Sequence, residues 1–252
     1  MRTLEIGSKD NPTFRKLKQL LTSKGIREEN TFFLMGEKLI QEFLKKPNIN
    51  FKIKNVVSFE GFELPVLDSQ IKLKKDLFNE LDVLGTHYPL LILEYKNFND
   101  FNFQEHPQGL EIISPLGDPK NLGSLARSAV AFGASKLILT HDSCHPYLPH
   151  AIKSSAGAIL NIPVQLSPLK MNQIPIVGNH VALDLSGQNL IDYKWFKDLR
   201  LLLGEEGPGI DLTTDQKKKV TFISIPMHLG IESLNATVSA SIAMWQYKTS
   251  TL

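Results

Sequence analysis

Three blocks in the C-terminal half of this 252-residue chain place Gly, Pro, Asn or Ser where an apolar run should give way to a helix. They read DPKNLGSLARSAVAFGA from Asp118 to Ala134, LLLGEEGPGI from Leu201 to Ile210, and IPMHLGIESLNATVSASIAM from Ile225 to Met244. A strand–helix junction leaves backbone N–H and C=O groups without intrahelical partners, so main chain can hold a ligand there. Junctions of this kind recur between apolar runs. Such βα alternation implies a mostly parallel sheet covered on both faces.

The alternation divides into two α/β units. In the first, Asn11-Pro12 reads as an N-cap with a first-turn proline, followed by Phe14, Leu17, Leu20 and Leu21 at helical spacing. Strands are expected at 31–35, 51–59, 64–67 and 89–95, and helices after Gly36 and over 69–81. The second unit is expected to run strand 110–114, helix 122–132, strand 136–140, helix 150–159, then strands at 162–166, 180–185, 199–203 and 220–225, and a closing helix over 235–247. KNFNDFNFQEHPQG, Lys96 to Gly109, is polar and interrupts the pattern as a linker, although its three phenylalanines argue that part of it packs. The expected domains are therefore 1–100 and 107–252.

Composition narrows the class. Hydrophobic content of 42% and charged content of 21% are those of an ordinary globular protein. No apolar run approaches the roughly 18 residues of a membrane span, and MRTLEIGSKDNP lacks a signal-peptide core. Cys144 is the single cysteine, which excludes an internal disulfide and makes a reducing cytoplasm the expected setting. A net charge of +2 neither demands nor excludes nucleic acid, but Arg15, Lys16, Lys18, Lys24 and Arg27 form a local basic cluster. A solvated helix face would give the same pattern.

Asn121 stands near a helix start, where its amide can cap the helix or bind a substrate. Arg127 lies among Ala126, Ser128 and Ala129, a small-residue face on which a buried guanidinium would need an anion such as Glu206 or a phosphate. Gly204, Gly207 and Gly209 end an apolar strand and permit close backbone approach, or merely a tight turn. Their spacing is not that of a dinucleotide-binding GxGxxG loop. His141, Cys144 and His145 lack the second ligand pair of a structural zinc site, so no metal is expected.

In this order the three blocks resemble the SpoU (TrmH) branch of the SPOUT methyltransferases, which move a methyl group from S-adenosylmethionine to a ribose 2′-hydroxyl in RNA. NPTFRKLKQLLTSKGIREENTFFLMGEKLI is similar to the substrate-binding domain that precedes the catalytic domain in many members, and AIKSSAGAILNIPV (Ala151 to Val164) matches a further family stretch. The resemblance implies a C-terminal trefoil knot that holds the cofactor through Gly204, Gly207, Ile225, Met227 and Leu234. It assigns catalysis to Arg127, Asn121, Glu206, Ser233 and Asn235, and RNA contact to Arg15, Lys16, Lys24 and Arg27. It implies a homodimer, with the Ala/Ser-rich helix 235–247 as a candidate interface, and 23S-type rRNA as substrate. A family proposal makes the arginine matching Arg127 a general base; a pKa above about 12 argues instead for a phosphate clamp. A sulfonium leaving group requires neither metal nor covalent nucleophile. The alternatives are a tRNA 2′-O-methyltransferase, a non-catalytic RNA-binding assembly factor, and another α/β enzyme binding a nucleotide at the glycine loop.

Overall fold

A computed structural model describes residues 2–62, 69–204, 209–228 and 233–251. The chain forms two compact units, residues 1–97 with 145–160, and residues 98–144 with 161–252. The segment 145–160, which the alternation alone assigns to the second unit, thus packs with the first.

The first unit runs β1 (Arg2–Ile6), α1 (Pro12–Gln19), α2 (Ser23–Glu29), β2 (Thr31–Leu34), α3 (Glu37–Lys45), β3 (Phe51–Phe59), β4 (Ser69–Leu73), α4 (Lys75–Leu81) and β5 (Leu90–Tyr95). The sheet order is β1-β4-β3-β5-β2, with β4 parallel to both neighbours and β5 antiparallel to both of its own. Asn11 caps α1 by accepting from the Thr13 N–H at 2.8 Å, with Pro12 in the first turn. The helix expected over 69–81 is corrected: SQIKL is a strand whose residues pair with both β1 and β3, and only Lys75–Leu81 is helical. The two flanking strands override its modest helical pattern. The strand expected at 64–67 lies outside the described residues.

In the same unit Phe32, Phe51, Tyr95 and Tyr147 form an aromatic cluster, and the two tyrosines lie against His145, which is fully buried. The Tyr147 N–H lies 3.2 Å from His145 Nδ1, and His145 Nε2 lies 3.1 Å from the Tyr95 hydroxyl. That arrangement suits a neutral imidazole, accepting at Nδ1 and carrying its proton on Nε2.

The second unit runs β6 (Leu110–Ser114), α5 (Pro119–Phe132) and β7 (Lys136–Leu139). After α6 (Pro149–Ser154), which belongs to the first unit, it continues β8 (Val164–Leu166), β9 (His180–Asn189), β10 (Leu199–Leu202), α7 (Thr214–Lys217), β11 (Thr221–Ser224) and α8 (Ala236–Ser250). All of its strands pair in parallel, in the order β11-β9-β10-β6-β7-β8. α5 and α8 pack together, with a Ser241–Ser128 hydroxyl bond of 2.7 Å between them. Within the interdomain stretch Phe101 and Phe103 are buried against Ile113, Ile138 and Leu202, as its aromatic content implied.

Across one face of this sheet runs a polar row at consecutive register positions, His180, Arg200, Glu111 and Lys136. Arg200 is 0% and Glu111 1% exposed; Arg200 Nε donates to Glu111 at 2.8 Å, and Lys136 Nζ lies 3.2 Å from the other carboxylate oxygen. The guanidinium also donates to the Glu105 and Val177 carbonyls. The Phe101 ring faces both cations, at 4.9 and 5.4 Å.

Removing Glu111 would strand Arg200 as a buried unpaired cation. Glu111→Ala should cost about 3–5 kcal/mol in chemical denaturation, and Glu111→Leu combined with Arg200→Met should recover much of that loss. A second expectation concerns pH. Burial lowers His145 to about 3 and His180 to about 4. In the unfolded chain both protonate near pH 6.5. The unfolded state therefore binds more protons below 6.5, and stability present above that pH is lost as pH falls. Each buried neutral histidine should withdraw about 2 kcal/mol between pH 7 and pH 5. His145→Phe should remove about half of that loss in thermal melts, leaving the His180 share.

Candidate active site

Two cavities open where the paired parts of the central strands of the second unit end. The first, about 460 Å³, is bounded by Leu183–Leu185, by Leu202–Gly204 with Gly209 and Ile210, and by Ile223, Ile225, Met227 and the run Ser233–Ala236 with Ser239. Its walls are mainly aliphatic, and a few polar groups converge on it. That is the usual make-up of a small-molecule site, at a usual size.

Close backbone packing shapes this cavity. A Cβ on Gly204 would lie 2.5 Å from the carbonyl carbon of Gly209 and 2.7 Å from the nitrogen of Ile210. No side chain fits between those stretches of main chain. A second such point is Gly187. β11 pairs with β9 at Val181 and Ala182, loses register, and resumes at Gln188 and Asn189. The intervening residues 183–187 bulge out. A Cβ on Gly187 would fall 2.6 Å from Phe222 C and Ile223 N, and Ser224 Oγ donates to the Gly187 carbonyl at 2.9 Å. The bulge is thereby clamped, and Leu183, Asp184 and Leu185 stand on the cavity wall. One Asp184 oxygen accepts from both the Ser186 hydroxyl and its N–H, which lowers the carboxyl's pKa.

The second cavity, about 680 Å³, shares Leu203, Gly204 and Gly209 with the first. Around it stand Pro115, Leu116, Gly117, Asp118, Asn121, Asp142, Lys170, Met171, Asn172 and Asp211. Here the two readings of Asn121 separate. Asp118 is the N-cap of α5, accepting from the N–H groups of Lys120 and Asn121 at 2.8 and 2.9 Å. The Asn121 side chain is not the cap; it stands in the first turn beside the cavity.

The expected site residues thus divide. Gly204, Ile225, Met227, Leu234, Ser233 and Asn235 meet at the first cavity, and Asn121 at the second. Asn235 also caps α8, accepting from Thr237 and Val238 N–H groups. Glu206 and Gly207 lie outside the described residues. Arg127 is exposed and lines neither cavity. This corrects the buried setting read from its small neighbours. The buried stripe of α5 is Leu122, Leu125, Ala126 and Ala129, and Arg127 falls about 100° around the helix from Ala126. Arg15, Lys16, Lys24 and Arg27 are exposed on α1 and α2 of the first unit; Arg15 pairs with Asp10, Lys16 with Glu29, and Lys24 with Glu28. The sequence reading missed Asp184 and the residues Asp142, Lys170, Asn172 and Asp211. The Gly187 of LDLSG was a usable signal for the bulge, because glycine inside a strand marks a close backbone approach.

Residues 111–245 match the SpoU rRNA Methylase family. The chain belongs to that family. Over 98% of its length it is 32% identical to a Syntrophobacter fumaroxidans protein named ribosomal RNA small subunit methyltransferase G 2, and it spans 49% of that relative. It is 26% identical to the 23S rRNA guanosine 2′-O-methyltransferase RlmP of Bacillus subtilis, covering 97% of this chain and 99% of that one. The fold matches the SpoU methyltransferase AviRb of Streptomyces viridochromogenes, solved with AdoMet, at a TM-score of 0.78 and 22% identity, over 96% of this chain and 98% of that one. The chain thus has an α/β fold with a parallel sheet, similar to that of this SpoU methyltransferase.

Gly187→Ala tests the clamped bulge. It should push β11 from β9 and cost roughly 1–3 kcal/mol or more in denaturant titration, whereas Ala at Gly117, where an added Cβ would only touch the Asp142 carbonyl at 3.8 Å, should cost far less.

Proposed function

We propose that this chain is an S-adenosylmethionine-dependent RNA 2′-O-ribose methyltransferase acting on rRNA, most simply the 23S type that its RlmP relative modifies. The observation that carries this reading is the first cavity: four of the five residues expected to hold the cofactor line it, and the fifth, Gly207, is outside the described residues. Its volume and aliphatic walls suit an adenosine with a short polar arm. Ile225, Met227 and Leu234 would flank the base, with backbone at Gly204 and polar groups of Ser233 and Asn235 beside it. When bound, the cofactor supplies a methyl group on a good leaving group. What the chain must add is alignment and removal of the hydroxyl proton, and alignment alone is worth about 7–11 kcal/mol. Asn121, at the neighbouring cavity, is placed to orient a ribose. The trefoil knot belongs to this reading; the bar to any side chain at Gly204, where two stretches of main chain touch, agrees with it.

Arg127 fits the reading through a homodimer. It is exposed, and it makes no ion pair with a described residue. α8 exposes Val238 at 47% and Trp245 at 53%, and α5 exposes Val130. Burying that surface against a second copy would bring Arg127 to the partner's site, where its planar guanidinium can grip an RNA phosphate. In the first unit, Arg15, Lys16, Lys24 and Arg27 would add phosphate contacts away from the chemistry, within residues 1–100 as the RNA-binding domain and 107–252 as the catalytic one. Glu206 is retained as a loop and arginine partner. The proposed setting is the cytoplasm. Among the described residues no helix is long and apolar enough to cross a membrane, and none of their His, Cys, Asp or Glu side chains cluster as a metal site.

Isothermal titration with S-adenosylhomocysteine should show binding that NAD and ATP do not. Gly204→Ala should abolish it, since the added carbon would collide with the Gly209–Ile210 peptide. Arg127→Lys should keep that affinity yet lose about 100-fold or more in single-turnover methyl transfer. Mixing Arg127→Ala protomers with Gly204→Ala protomers should restore about a quarter of wild-type activity if each site borrows its arginine from the partner; no restoration would place Arg127 in its own chain's site.

A further inference from the structure

The second cavity has a chemistry that ribose methylation alone does not require. Of the four ionisable side chains around it among the described residues, three are aspartates and one is Lys170. Asp118 is spent as the α5 cap, and Asp142 is balanced by Lys170 at 3.5 Å. Among the described residues no cation pairs with Asp211. Its Oδ2 accepts from the Asn172 amide at 2.6 Å, and no described group donates to its Oδ1. Such a cavity repels a phosphate and suits a neutral partner rich in N–H groups.

Both carriers of this pair are braced. Asn172 sits in the one-turn helix Met171–Gln173. The buried Gln216 amide donates to the carbonyls of Met171 and Ile174, at 3.0 and 2.9 Å, on either side of that turn. The same Gln216 accepts from the Thr213 N–H at 2.8 Å, and Thr213 is two residues from Asp211. Asn172 and Asp211 are therefore held against each other from below, as a recognition pair must be.

The cavity shares a wall with the proposed methyl-donor cavity, so a nucleotide whose 2′-oxygen reaches that donor would place its base here. Single-stranded RNA is read by splaying a base out and bonding its Watson–Crick edge. Among the four bases only guanine presents two adjacent N–H donors on that edge, N1–H and the 2-amino group, beside an acceptor, O6. A carboxylate braced by an amide accepts the two donors. Adenine and cytosine would set a ring-nitrogen lone pair against the carboxylate, and uracil offers one donor between two acceptors.

We propose that this second cavity receives the base of the target nucleotide, and that Asp211, braced by Asn172, selects guanine. The proposal rests on the methyltransferase reading and adds the identity of the nucleotide. The test uses the full chain with S-adenosylmethionine and unmodified rRNA and tRNA transcripts, digested to nucleosides for mass spectrometry. The expected product is 2′-O-methylguanosine. A 2′-O-methylated adenosine, cytidine or uridine overturns the base assignment and leaves the methyltransferase reading standing; no methyl transfer to any transcript overturns both. Once the guanosine is mapped, Asp211→Asn should keep its affinity for S-adenosylhomocysteine, which reports an intact fold, while kcat/KM falls roughly 10- to 100-fold. Inosine at the target, which lacks the 2-amino group, should cost the wild type a similar factor and Asp211→Asn much less. Equal kcat/KM for Asp211→Asn and wild type, or equal inosine penalties in the two, would overturn the role of Asp211.

Discussion

The second unit is built on a buried row of charge. His180, Arg200, Glu111 and Lys136 occupy matching register positions on four adjacent parallel strands, and the row closes through Arg200–Glu111 and Lys136–Glu111. A one-residue slip of any of these strands would turn its member to the opposite face of the sheet. For β10 that would separate a guanidinium with no exposed surface from its carboxylate. Aliphatic strands alone carry little register information, since one Leu or Ile replaces another at small cost. The ion pair is expensive to desolvate, so its value lies less in net stability than in making the wrong registers far worse.

That lock acts near one end of the strands, and its consequence shows at the other. With β10 locked to β6, and β9 and β11 paired in turn beside it, Ala182, Leu202–Gly204 and Ile223–Ile225 finish close together. There the chain does three different things around one space: it bulges over 183–187, stops at a glycine pressed against Gly209, and turns toward α8. The same row also fastens the stretch before β6. Arg200 holds the Glu105 carbonyl, Glu111 accepts from the Gln108 N–H at 3.0 Å, and Phe101 covers the two cations. A segment that composition marks as a linker is thus part of the core.

What the sequence made legible follows from where information is local. The strands of the second unit, the capped start of α1 and the loop residues Ile225, Met227 and Leu234 were readable because periodicity and junction chemistry are local. The strand at Ser69–Leu73 was not, because SQIKL becomes a strand only through two parallel neighbours distant in sequence. Asn121 was ambiguous for the same reason: only the side chain of Asp118, in place as the cap, frees its amide. The exposure of Arg127 was not legible either: its small neighbours are compatible with a buried face, whereas the stripe facing inward lies one position away. The cavity residues Lys170, Asn172 and Asp211 carry no motif. Gln216 joins their loops across more than forty residues, through bonds that no spacing rule anticipates.

The two cavities also bear on how the proposed chemistry divides its work. Two of the three residues of their common wall, Gly204 and Gly209, carry no side chain, so a group bound in one lies close to a group bound in the other. One cavity is mainly aliphatic, suited to a nucleoside that packs; the other is polar and acidic, suited to a base that is read. Among the described residues neither presents a cation fit to hold a backbone phosphate: Lys170 is already engaged with Asp142. An RNA chain cannot enter such a site without its phosphates, and α5 carries an exposed guanidinium, Arg127, that pairs with no described carboxylate. On the proposed reading the site of a single chain is therefore complete for methyl donor and base and incomplete for the backbone. This is a physical reason for the enzyme to work as a pair, independent of any area buried between the two copies.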